Sequence, residues 1–527
     1  MTLSRFLAIC CFGLPLAWSL TTPSTVARNA TAQNATEFSL VYGYPLLSWA
    51  NFVGALYEGV GPNVFYHSQY FVSANSPTAR NIVAPNQDTL YSAMVVDLTK
   101  DNLNITTPDI ASDWFHLFSF YDPFGDNWAN IGSENPYNKS GSYLLRRSPD
   151  PNTYGLHEDP LGQYAAFLDA PQSIGVILVR WLIFNDTSYQ QVHEWQNATI
   201  IDPTPLPVKD QITGGVGLAL AAAKNATSPA ESVMKMLAQI NSYCPPLVAS
   251  DKDHVDSQLA AAGIRDFTYT TPPGANLSFA NASVPIITNK ALSAPGNLIN
   301  VGNGWNVIAK NASGTYGTHY ALRNGIAGPY YLQITEPNAY YPTFDNGSKS
   351  GSQISTHFNL SADQAYIYTF SGRPPLSETG FWSLTLYQDQ YLVSNPLDRS
   401  TLGDRSNLTF PDGKLVYEHG GAATGAADRE FQILIQPADV APPYNWTSNW
   451  LPGPAGGGQD VSVLLRFYDA CDGVFNGTYE YPKVSVQSVV RNGSSVTSTA
   501  NANASKSATP TASKPLMPRK VSTCGKL

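Results

Sequence analysis

Short apolar runs punctuated by turn residues fill the stretch from residue 82 to residue 184. These runs are rich in β-branched and aromatic residues, and Pro, Gly, Asn and Asp separate them. Such a pattern is typical of strands joined by turns. It predicts strands over residues 92–97, 114–121, 142–146 and 174–183.

A second pattern of the same kind begins at His319. A helix-like start at residues 321–327 precedes predicted strands near residues 330–334, 365–370, 382–387, 415–419, 431–435 and 461–468. Repeated strands at short spacing, with turn residues between them, predict a sandwich or a jelly-roll barrel.

Helical spacing of apolar residues occurs in two other places. Leu40, Leu47 and Phe52 predict a helix over residues 38–53. Residues 189–262 also look helical, most clearly at 218–223 and 230–240, and are most simply interpreted as an interdomain layer. Residues 269–308 are rich in Pro, Asn and Gly, which indicates a long connection.

The predicted fold class is therefore α+β and β-rich, with two β-sandwich or jelly-roll-like domains. The expected first domain spans residues 38–188, the helical and connecting segment 189–308, and the second domain 309–484. Residues 485–527 are rich in Ser, Thr, Ala, Asn and Lys. Because such a composition buries too little apolar area to offset its ordering entropy, we expect a disordered tail.

The first 22 residues have the layout of a secretory signal peptide, with Arg5 before an apolar run and small residues after it. The run is about a dozen residues long and is broken by Pro15, whereas a membrane-spanning helix needs about 20. We therefore expect cleavage, secretion to the extracellular space and no membrane span.

Secretion would make the Asn-x-Ser/Thr triplets into candidate N-glycosylation sites, although a chain rich in Asn, Ser and Thr also produces triplets by chance. The candidates are Asn29, Asn34, Asn104, Asn138, Asn185, Asn197, Asn225, Asn276, Asn281, Asn311, Asn346, Asn359, Asn407, Asn445, Asn476, Asn492 and Asn503. Their density predicts a secreted glycoprotein carrying N-glycans, and it favours a fungal source.

Composition narrows the classes of partner. The formal net charge is -9 and charged residues make up 13% of the chain, so its surface would repel nucleic acid. Aromatic residues reach 12%, and Tyr and Trp suit sugars or small organic molecules because they combine an apolar face with a polar tip. We expect a small ligand, apolar or bearing a carboxylate, and no nucleic acid.

Neither a cofactor nor a metal is predicted. After loss of the signal peptide, Cys244, Cys471 and Cys524 remain, which allows one disulfide and leaves a thiol over. Residues 251–256 offer Asp and His side chains without a recognised ligand spacing, so they are interpreted as a solvated loop. The chain lacks the motifs of serine hydrolases, zinc peptidases, kinases and nicotinamide enzymes.

The most distinctive segment is residues 85–98, where a polar cluster leads into an apolar run. Asp88 could act as a base or hydrogen-bond acceptor, with Asn86 and Tyr91 as donors to a bound carbonyl or carboxylate and Thr89 beside them. The alternative is an Asx turn that satisfies local backbone groups. Strand alternation lets Asp88 and Tyr91 converge only if Asp88 still belongs to the loop.

Other candidate residues are aromatic or basic. His67 and His116 lie in aromatic surroundings and could carry protons near neutral pH, or they could be buried and satisfied by neighbours. In the second domain, four further residues could line a ligand cavity. Alternatively, they could be core residues, and the arginine could pair with Asp398 or Asp404. These four are Trp382, Tyr387, Arg399 and Trp450.

Several of these segments resemble known families. Residues 42–45, 63–67, 85–92, 118–122 and 130–132 resemble the family called domain of unknown function 1254, whereas residues 320–325, 381–387, 392–396, 449–454 and 466–468 resemble domain of unknown function 1214. The resemblance implies paired β-rich domains with a helical element. It implies no reaction, because fold alone does not give function.

The leading hypothesis is a secreted protein that holds a small, largely apolar molecule in an aromatic-lined cavity. That molecule would carry a carboxylate or a carbonyl, and conversion would use cofactor-independent acid-base chemistry in secondary metabolism or extracellular substrate breakdown. The alternative is a non-enzymatic cell-wall or extracellular protein whose exposed Tyr and Trp bind carbohydrate or lipid.

Overall fold

The computed structural model describes most of the chain from residue 30 onward. The described ranges are 30–76, 84–133, 135, 137–309, 312–329, 339–344, 357–417, 429–475 and 477–491. The predicted signal peptide, the strand expected at residues 330–334 and the tail beyond residue 491 lie outside these ranges.

Ten strands build the first sandwich: β1 (Tyr66–His67), β2 (Thr89–Asp97), β3 (Asp101–Thr107), β4 (His116–Tyr121), β5 (Asn127–Gly132), β6 (Gly141–Arg147), β7 (Gly155–His157), β8 (Ala166–Ala170), β9 (Ile174–Leu182) and β10 (Ile200–Pro205). Each of the four strands predicted there from sequence overlaps an observed strand. Only residues 114–115 and 183, at two predicted ends, lie outside the observed strands. The inner sheet has the order β1-β2-β9-β4-β5 and the outer sheet β10-β3-β6-β8-β7.

The inner sheet is covered on both faces. Leu90 and Met94 of β2 pack with Leu103 and Ile105 of β3 in the core between the two sheets. Every residue of β9 is buried. A strand with no exposed face reads as a continuous apolar run, which is why β9 was readily predicted from sequence.

Nine helices occur in the described residues. They are α1 (Ala30–Gly43), α2 (Pro45–Gly59), α3 (Ser188–Ala198), α4 (Val216–Lys224), α5 (Pro229–Ile240), α6 (Lys252–Ala261), α7 (Leu277–Leu292), α8 (Tyr320–Ala327) and α9 (Asp472–Phe475). None of them has the length and apolar character that crossing a membrane requires.

Two helices differ from the sequence-based expectation. The single helix expected over residues 38–53 is two helices, because Pro45 lacks a backbone N–H and instead begins α2. Helix α7 lies inside the segment expected to be a connection. The side chain of Asn276 accepts a hydrogen bond from the N–H of Phe279 and so caps the N-terminus of this helix. Asn276 had counted as evidence for a loop because Asn is common in loops.

The helical layer covers part of the inner-sheet face that lies away from the outer sheet. Leu40 of α1, Trp49 of α2 and Leu237 of α5 share one buried cluster with Val95 and Val176 of that sheet. The layer therefore belongs mainly to the first sandwich, and the two sandwiches also contact each other directly.

The remaining strands form a short hairpin and the second sandwich. The hairpin is β11 (Ile264–Arg265) with β12 (Thr268–Tyr269). The other strands are β13 (Leu298–Gly302), β14 (Trp305–Ile308), β15 (Ala339–Tyr340), β16 (Thr343–Phe344), β17 (His357–Leu360), β18 (Gln364–Phe370), β19 (Leu376–Gln388), β20 (Tyr391–Leu392), β21 (Thr401–Gly403), β22 (Phe431–Pro437), β23 (Trp450–Gly453), β24 (Gln459–Ala470) and β25 (Lys483–Ser488).

These strands form a nine-stranded sheet centred on β19 and β24 and a four-stranded sheet of order β23-β22-β18-β25. The second sandwich is open rather than a closed barrel. Strand β25 pairs with β18, and Val490 beyond it is buried, so the start of the predicted tail at residue 485 falls inside the sheet.

The central strands of the nine-stranded sheet have two different buried faces. Trp382 and Leu384 of β19 and Phe467 of β24 enter the apolar core of the second sandwich. Ser383 of β19 alternates with these residues and is Cα partner of Arg466 on β24, so both project from the opposite face. That polar face lies against the first sandwich.

We predict that Gly175→Ala destabilises the protein by about 1–3 kcal/mol, because overpacking carries a cost of that order. A Cβ atom at Gly175 would lie 2.4 Å from the carbonyl oxygen of Tyr121 on the neighbouring strand. Urea unfolding of the purified protein measures the change.

Gly54→Ala is the matched control. Gly54 lies inside α2, and no heavy atom lies within 4 Å of its added Cβ. Because Ala is favoured over Gly in helices, this variant should gain about 0.5–1 kcal/mol. Equal unfolding midpoints for the two variants would contradict the close approach at Gly175.

Candidate functional site

The candidate site lies where the inner sheet of the first sandwich meets the polar face of the nine-stranded sheet. Tyr91 on β2 and Arg180 on β9 are Cα partners, so their side chains leave the same face of the inner sheet. Phe381 and Tyr468 are Cα partners across β19 and β24 and leave the facing surface. We call the following seven residues the interdomain polar cluster: Tyr91, Tyr121, Arg180, Tyr341, Tyr387, Arg466 and Tyr468.

The turn before β2 has the geometry of an Asx turn. The Oδ1 atom of Asn86 accepts hydrogen bonds from the N–H of Asp88 at 3.2 Å, and from the N–H and Oγ1 of Thr89, both at 3.0 Å. Its Nδ2 donates to the hydroxyl of Tyr468 at 3.2 Å. Asn86 therefore shapes the turn and joins the two domains.

Asp88 also joins the domains. Its side chain is buried, and its Oδ2 accepts a hydrogen bond from Ser383 Oγ at 2.6 Å. Its Oδ1 is bound by the guanidinium of Arg405, which also contacts Asp404 Oδ1 at 2.7 Å and lies over the ring of Phe381. Because both carboxylate oxygens are engaged, Asp88 is fixed as an interdomain ion-pair partner.

Two tyrosines of the cluster remain partly accessible. Tyr91 and Tyr341 are each half-buried, and desolvation by the surrounding protein raises the pKa of both phenols. Other aromatic rings lie beside them. Phe381 is stacked on Tyr468 with ring centroids 4.3 Å apart, and Tyr341 is edge-on to Tyr468 at 6.3 Å.

Arginine side chains from both domains supply the charge of the cluster. Arg466 donates to Thr385 Oγ1 at 3.2 Å, to the hydroxyl of Tyr387 at 2.7 Å and to the carbonyl of Ala84 at 2.9 Å. Arg180 donates to Ser119 Oγ at 3.4 Å. Both guanidiniums remain protonated at any ordinary pH, so this part of the interface is positively charged.

The two candidate histidines lie away from the cluster. His67 Nδ1 is 2.7 Å from Ser92 Oγ, and Ser92 projects from the face of β2 opposite to Tyr91. His116 stacks on Trp181 of that same opposite face, and its Nδ1 is 3.1 Å from the carbonyl of Trp114. Burial lowers the pKa of His67 and lowers the pKa of His116 to about 4, so His116 is neutral at physiological pH.

A small cavity of about 30 Å³ borders His116. It lies between the two sheets of the first sandwich, and Asp109, Tyr137 and Tyr143 contribute to its walls. A water molecule needs roughly 10–15 Å³ of such space, so the cavity has room for about two waters.

Of the four candidates in the second domain, one lies in the interdomain polar cluster and three lie elsewhere. Tyr387 belongs to the interdomain polar cluster and donates to the carbonyl of Pro85 at 2.8 Å. Trp382 lies in the sandwich core and donates to the Tyr417 hydroxyl. Arg399 donates to the carbonyls of residues 447 and 450 at 2.7 and 3.1 Å, and Trp450 is buried on β23. The structure does not bring these last three to the cluster.

Sequence reasoning missed the interface residues Arg180 and Tyr341. Arg180 interrupts an otherwise apolar strand. A charged residue in a strand with two buried faces needs a partner or a function. The charged residue within an apolar strand is the feature from which this interface residue could have been predicted. By contrast, the position of Tyr341 next to Tyr468 depends on tertiary contact and has no local signature.

A second buried polar cluster lies under the helical layer. Asp122 and Asp126 flank a tight turn, and Asp126 Oδ2 pairs with Arg323 Nη1 of α8 at 3.3 Å. Desolvation raises the pKa of Asp122 well above its usual value, the neighbouring Asp126 raises it further, and Arg323 opposes both. Burial and the neighbouring carboxyl therefore both favour the neutral form of Asp122, whose Oδ1 accepts hydrogen bonds from the N–H of Phe124 and of Asp126, both at 2.9 Å.

The structure also places the segment 251–256 and two of the cysteines. No group of three potential metal-binding side chains occurs among the residues that the structure describes. The segment expected to be a solvated loop is the start of α6, and Asp251 accepts a hydrogen bond from the hydroxyl of Tyr320. Cys244 is a buried free thiol, whereas Cys471 is disulfide-bonded, so these two cysteines are not joined to each other.

Family comparisons match both sandwiches. Residues 62–203 match the family described as "Protein of unknown function (DUF1254)", and residues 353–472 match "Protein of unknown function (DUF1214)". The chain joins a DUF1254 region to a DUF1214 region. The interdomain polar cluster thus draws Tyr91 and Arg180 from the DUF1254 region and Tyr387 and Arg466 from the DUF1214 region.

A solved structure shares the fold. The crystal structure of the VPA0106 protein from Vibrio parahaemolyticus has 18% sequence identity and a TM-score of 0.54, covering 87% of this chain and 100% of that chain. At this identity the likeness concerns the fold alone. A Burkholderia cenocepacia structure has 13% identity and a TM-score of 0.35, covering 87% of this chain and 94% of that chain. No curated protein matches the sequence.

We predict that Asp88→Asn costs about 3–5 kcal/mol of stability, because removing one partner of a buried ion pair leaves the other charge poorly compensated. Asp412→Asn is the control, since Asp412 pairs with Arg429 at 2.7 Å in an exposed setting. Its loss should stay within about 1 kcal/mol. Urea unfolding compares the two, and similar small losses would show that Asp88 does not hold the interface.

We predict that the contribution of the Asp122 carboxyl to the free energy of unfolding falls as pH rises. Its folded-state pKa is raised, so its contribution is complete below the unfolded pKa of about 3.9 and is lost as pH rises through the folded pKa. The limiting slope for one proton is about 1.4 kcal/mol per pH unit.

Asp122→Asn keeps the side chain neutral at every pH and should remove this slope. The unfolding free energies of both proteins are measured between pH 4 and pH 8, and their difference is followed as a function of pH. A difference that is independent of pH would contradict a raised pKa of Asp122 in the folded protein.

Proposed function

We propose that Tyr91 and Tyr341 border a recess between the DUF1254 and DUF1214 regions, and that this chain binds a small, largely apolar organic molecule there. The observation that carries the proposal is the state of Tyr91 and Tyr341, which are deep within the protein and still accessible. Binding sites are typically concave, mostly apolar and furnished with a few orienting polar groups. Stacked rings beside two arginines supply that combination.

The groups around the recess suit holding a ligand better than transferring protons. The titratable side chains there are phenols and guanidiniums, whose ordinary pKa values lie far above neutral. Burial raises the pKa of Tyr91 and Tyr341 further, and Asp88 is occupied by Arg405 and Ser383. Binding is therefore the central activity that we propose, without acid-base conversion by Asp88 or the histidines.

Secretion as an N-glycosylated protein is part of the same proposal, and the exposure of many acceptor sites supports it. The exposed sites are Asn34, Asn138, Asn185, Asn197, Asn225, Asn359, Asn407 and Asn445. Asn104, Asn276 and Asn281 are half-buried, and the Asn276 side chain is already used to cap α7. The remaining candidates, Asn29, Asn311, Asn346, Asn476, Asn492 and Asn503, lie outside the described residues.

Carbohydrate binding at the surface is the alternative, and one aromatic group favours it. Tyr70 is 74% exposed, and its ring centroid lies 5.9 Å from that of Tyr189, which in turn lies 6.2 Å from His193. Exposed rings of this kind can stack on sugars. Retention of a sugar that depends on Tyr70 would support this alternative over the recess.

Native mass spectrometry tests the proposed function. The protein, secreted by its own source and enzymatically deglycosylated, should carry the mass of a small organic molecule. Tyr341→Trp enlarges a side chain that borders the recess and should abolish this extra mass. Tyr444→Trp makes a comparable change at a residue that is 94% exposed and should preserve it. Bare polypeptide mass in the wild type, or equal retention in both variants, would contradict binding in the recess.

A further inference from the structure

Two buried arginines, one from each domain, interact with the same group of phenols. Arg180 comes from β9 of the first sandwich and Arg466 from β24 of the second. Each is at most 5% exposed. Both interact electrostatically with the phenols of Tyr91, Tyr341 and Tyr468. The recess bordered by Tyr91 and Tyr341 therefore lies within reach of two positive charges.

Arg466 differs from other buried arginines of this chain. Arg405 pairs with Asp88 and Asp404, and Arg323 pairs with Asp126. The hydrogen-bond partners of Arg466 are instead two hydroxyls and a backbone carbonyl. Throughout the described ranges, no carboxylate forms an ion pair with it. A buried cation held by neutral groups alone carries a large desolvation cost that an anion would offset.

The surrounding phenols cannot supply the missing negative charge. Burial raises the pKa of Tyr387 to about 12 and raises the pKa of Tyr91 and Tyr341, so these side chains are neutral at physiological pH. Neutral phenols can nevertheless donate hydrogen bonds to an oxyanion. Their rings also provide apolar surface for the rest of a ligand.

We propose that the recess is an anion site, and that its ligand is an apolar molecule bearing a carboxylate held by Arg466 with the help of Arg180. This inference rests on the proposed function and specifies its substrate class. A carboxylate fits because the planar guanidinium matches it with two parallel hydrogen bonds. The aromatic border excludes a fully hydrated ion and selects a molecule with an apolar body.

Matched acids and amides test the charge requirement. Benzoate is compared with benzamide, and hexanoate with hexanamide, by isothermal titration calorimetry on the full chain. Each pair has nearly the same shape and differs in charge. In the wild type we expect the acid of at least one pair to bind at least about tenfold more tightly than its amide, as charge-assisted hydrogen bonds would give.

Variants then assign the preference to a residue. Arg466→Met should remove the preference for the acid, whereas Arg466→Lys keeps the charge without the planar fork and should retain part of it. Arg146→Met is the control, because Arg146 lies on β6 of the outer sheet, where it pairs with Asp169. This variant should keep the full wild-type preference.

The outcomes separate the two proposals. Equal affinities for acid and amide in the wild type, or a full preference in folded Arg466→Met, overturn the anion site and leave binding in the recess intact. If Arg466→Met does not fold, the acid-to-amide ratios of the wild type and Arg466→Lys decide. If no probe binds, the molecule retained by the native protein decides. A retained carboxylic acid supports the anion site, and a retained uncharged molecule overturns it. If no molecule is retained, the proposed function is contradicted as well.

Discussion

The two halves of this protein are held in register by charges that are buried between them. Arg405 lies between Asp88 of the first sandwich and Asp404 of its own sandwich, with Phe381 beneath its guanidinium. A buried charge is tolerated only where its partners are fixed, so this contact requires one relative position of the two sheets. In that position Tyr91 stays partly accessible, while the hydrogen bond between Ser383 and Asp88 is buried.

Much of the fold could be predicted from the sequence because its strands carry strong local patterns. Strands β9 and β24 are apolar runs bounded by turn residues, and their prediction needed no tertiary information. Helix α7 was missed because Pro285 lies within it and its cap, Asn276, is also a typical loop residue. Local propensity cannot decide such cases, since packing against α1 and α8 supplies the missing stability.

The site was less predictable than the fold for a related reason. The segment containing Asn86 and Asp88 was identified as distinctive, and the structure uses it as a turn and an interdomain contact. The two arginines of the interdomain polar cluster, Arg180 and Arg466, come from strands almost 300 residues apart. Sequence shows that each interrupts an apolar run, but only the pairing of two sheets shows that both interact with the same phenols.

Strand β25 has a consequence for how the second sandwich assembles. Its six residues cover one side of β18, and they come after every other strand that the structure describes. Until they emerge from the ribosome, β18 presents unpaired backbone groups to solvent, a condition that invites pairing with other chains. The four-stranded sheet is thus completed last. Proteolytic removal of β25 would leave β18 as an exposed edge strand that can pair with other chains.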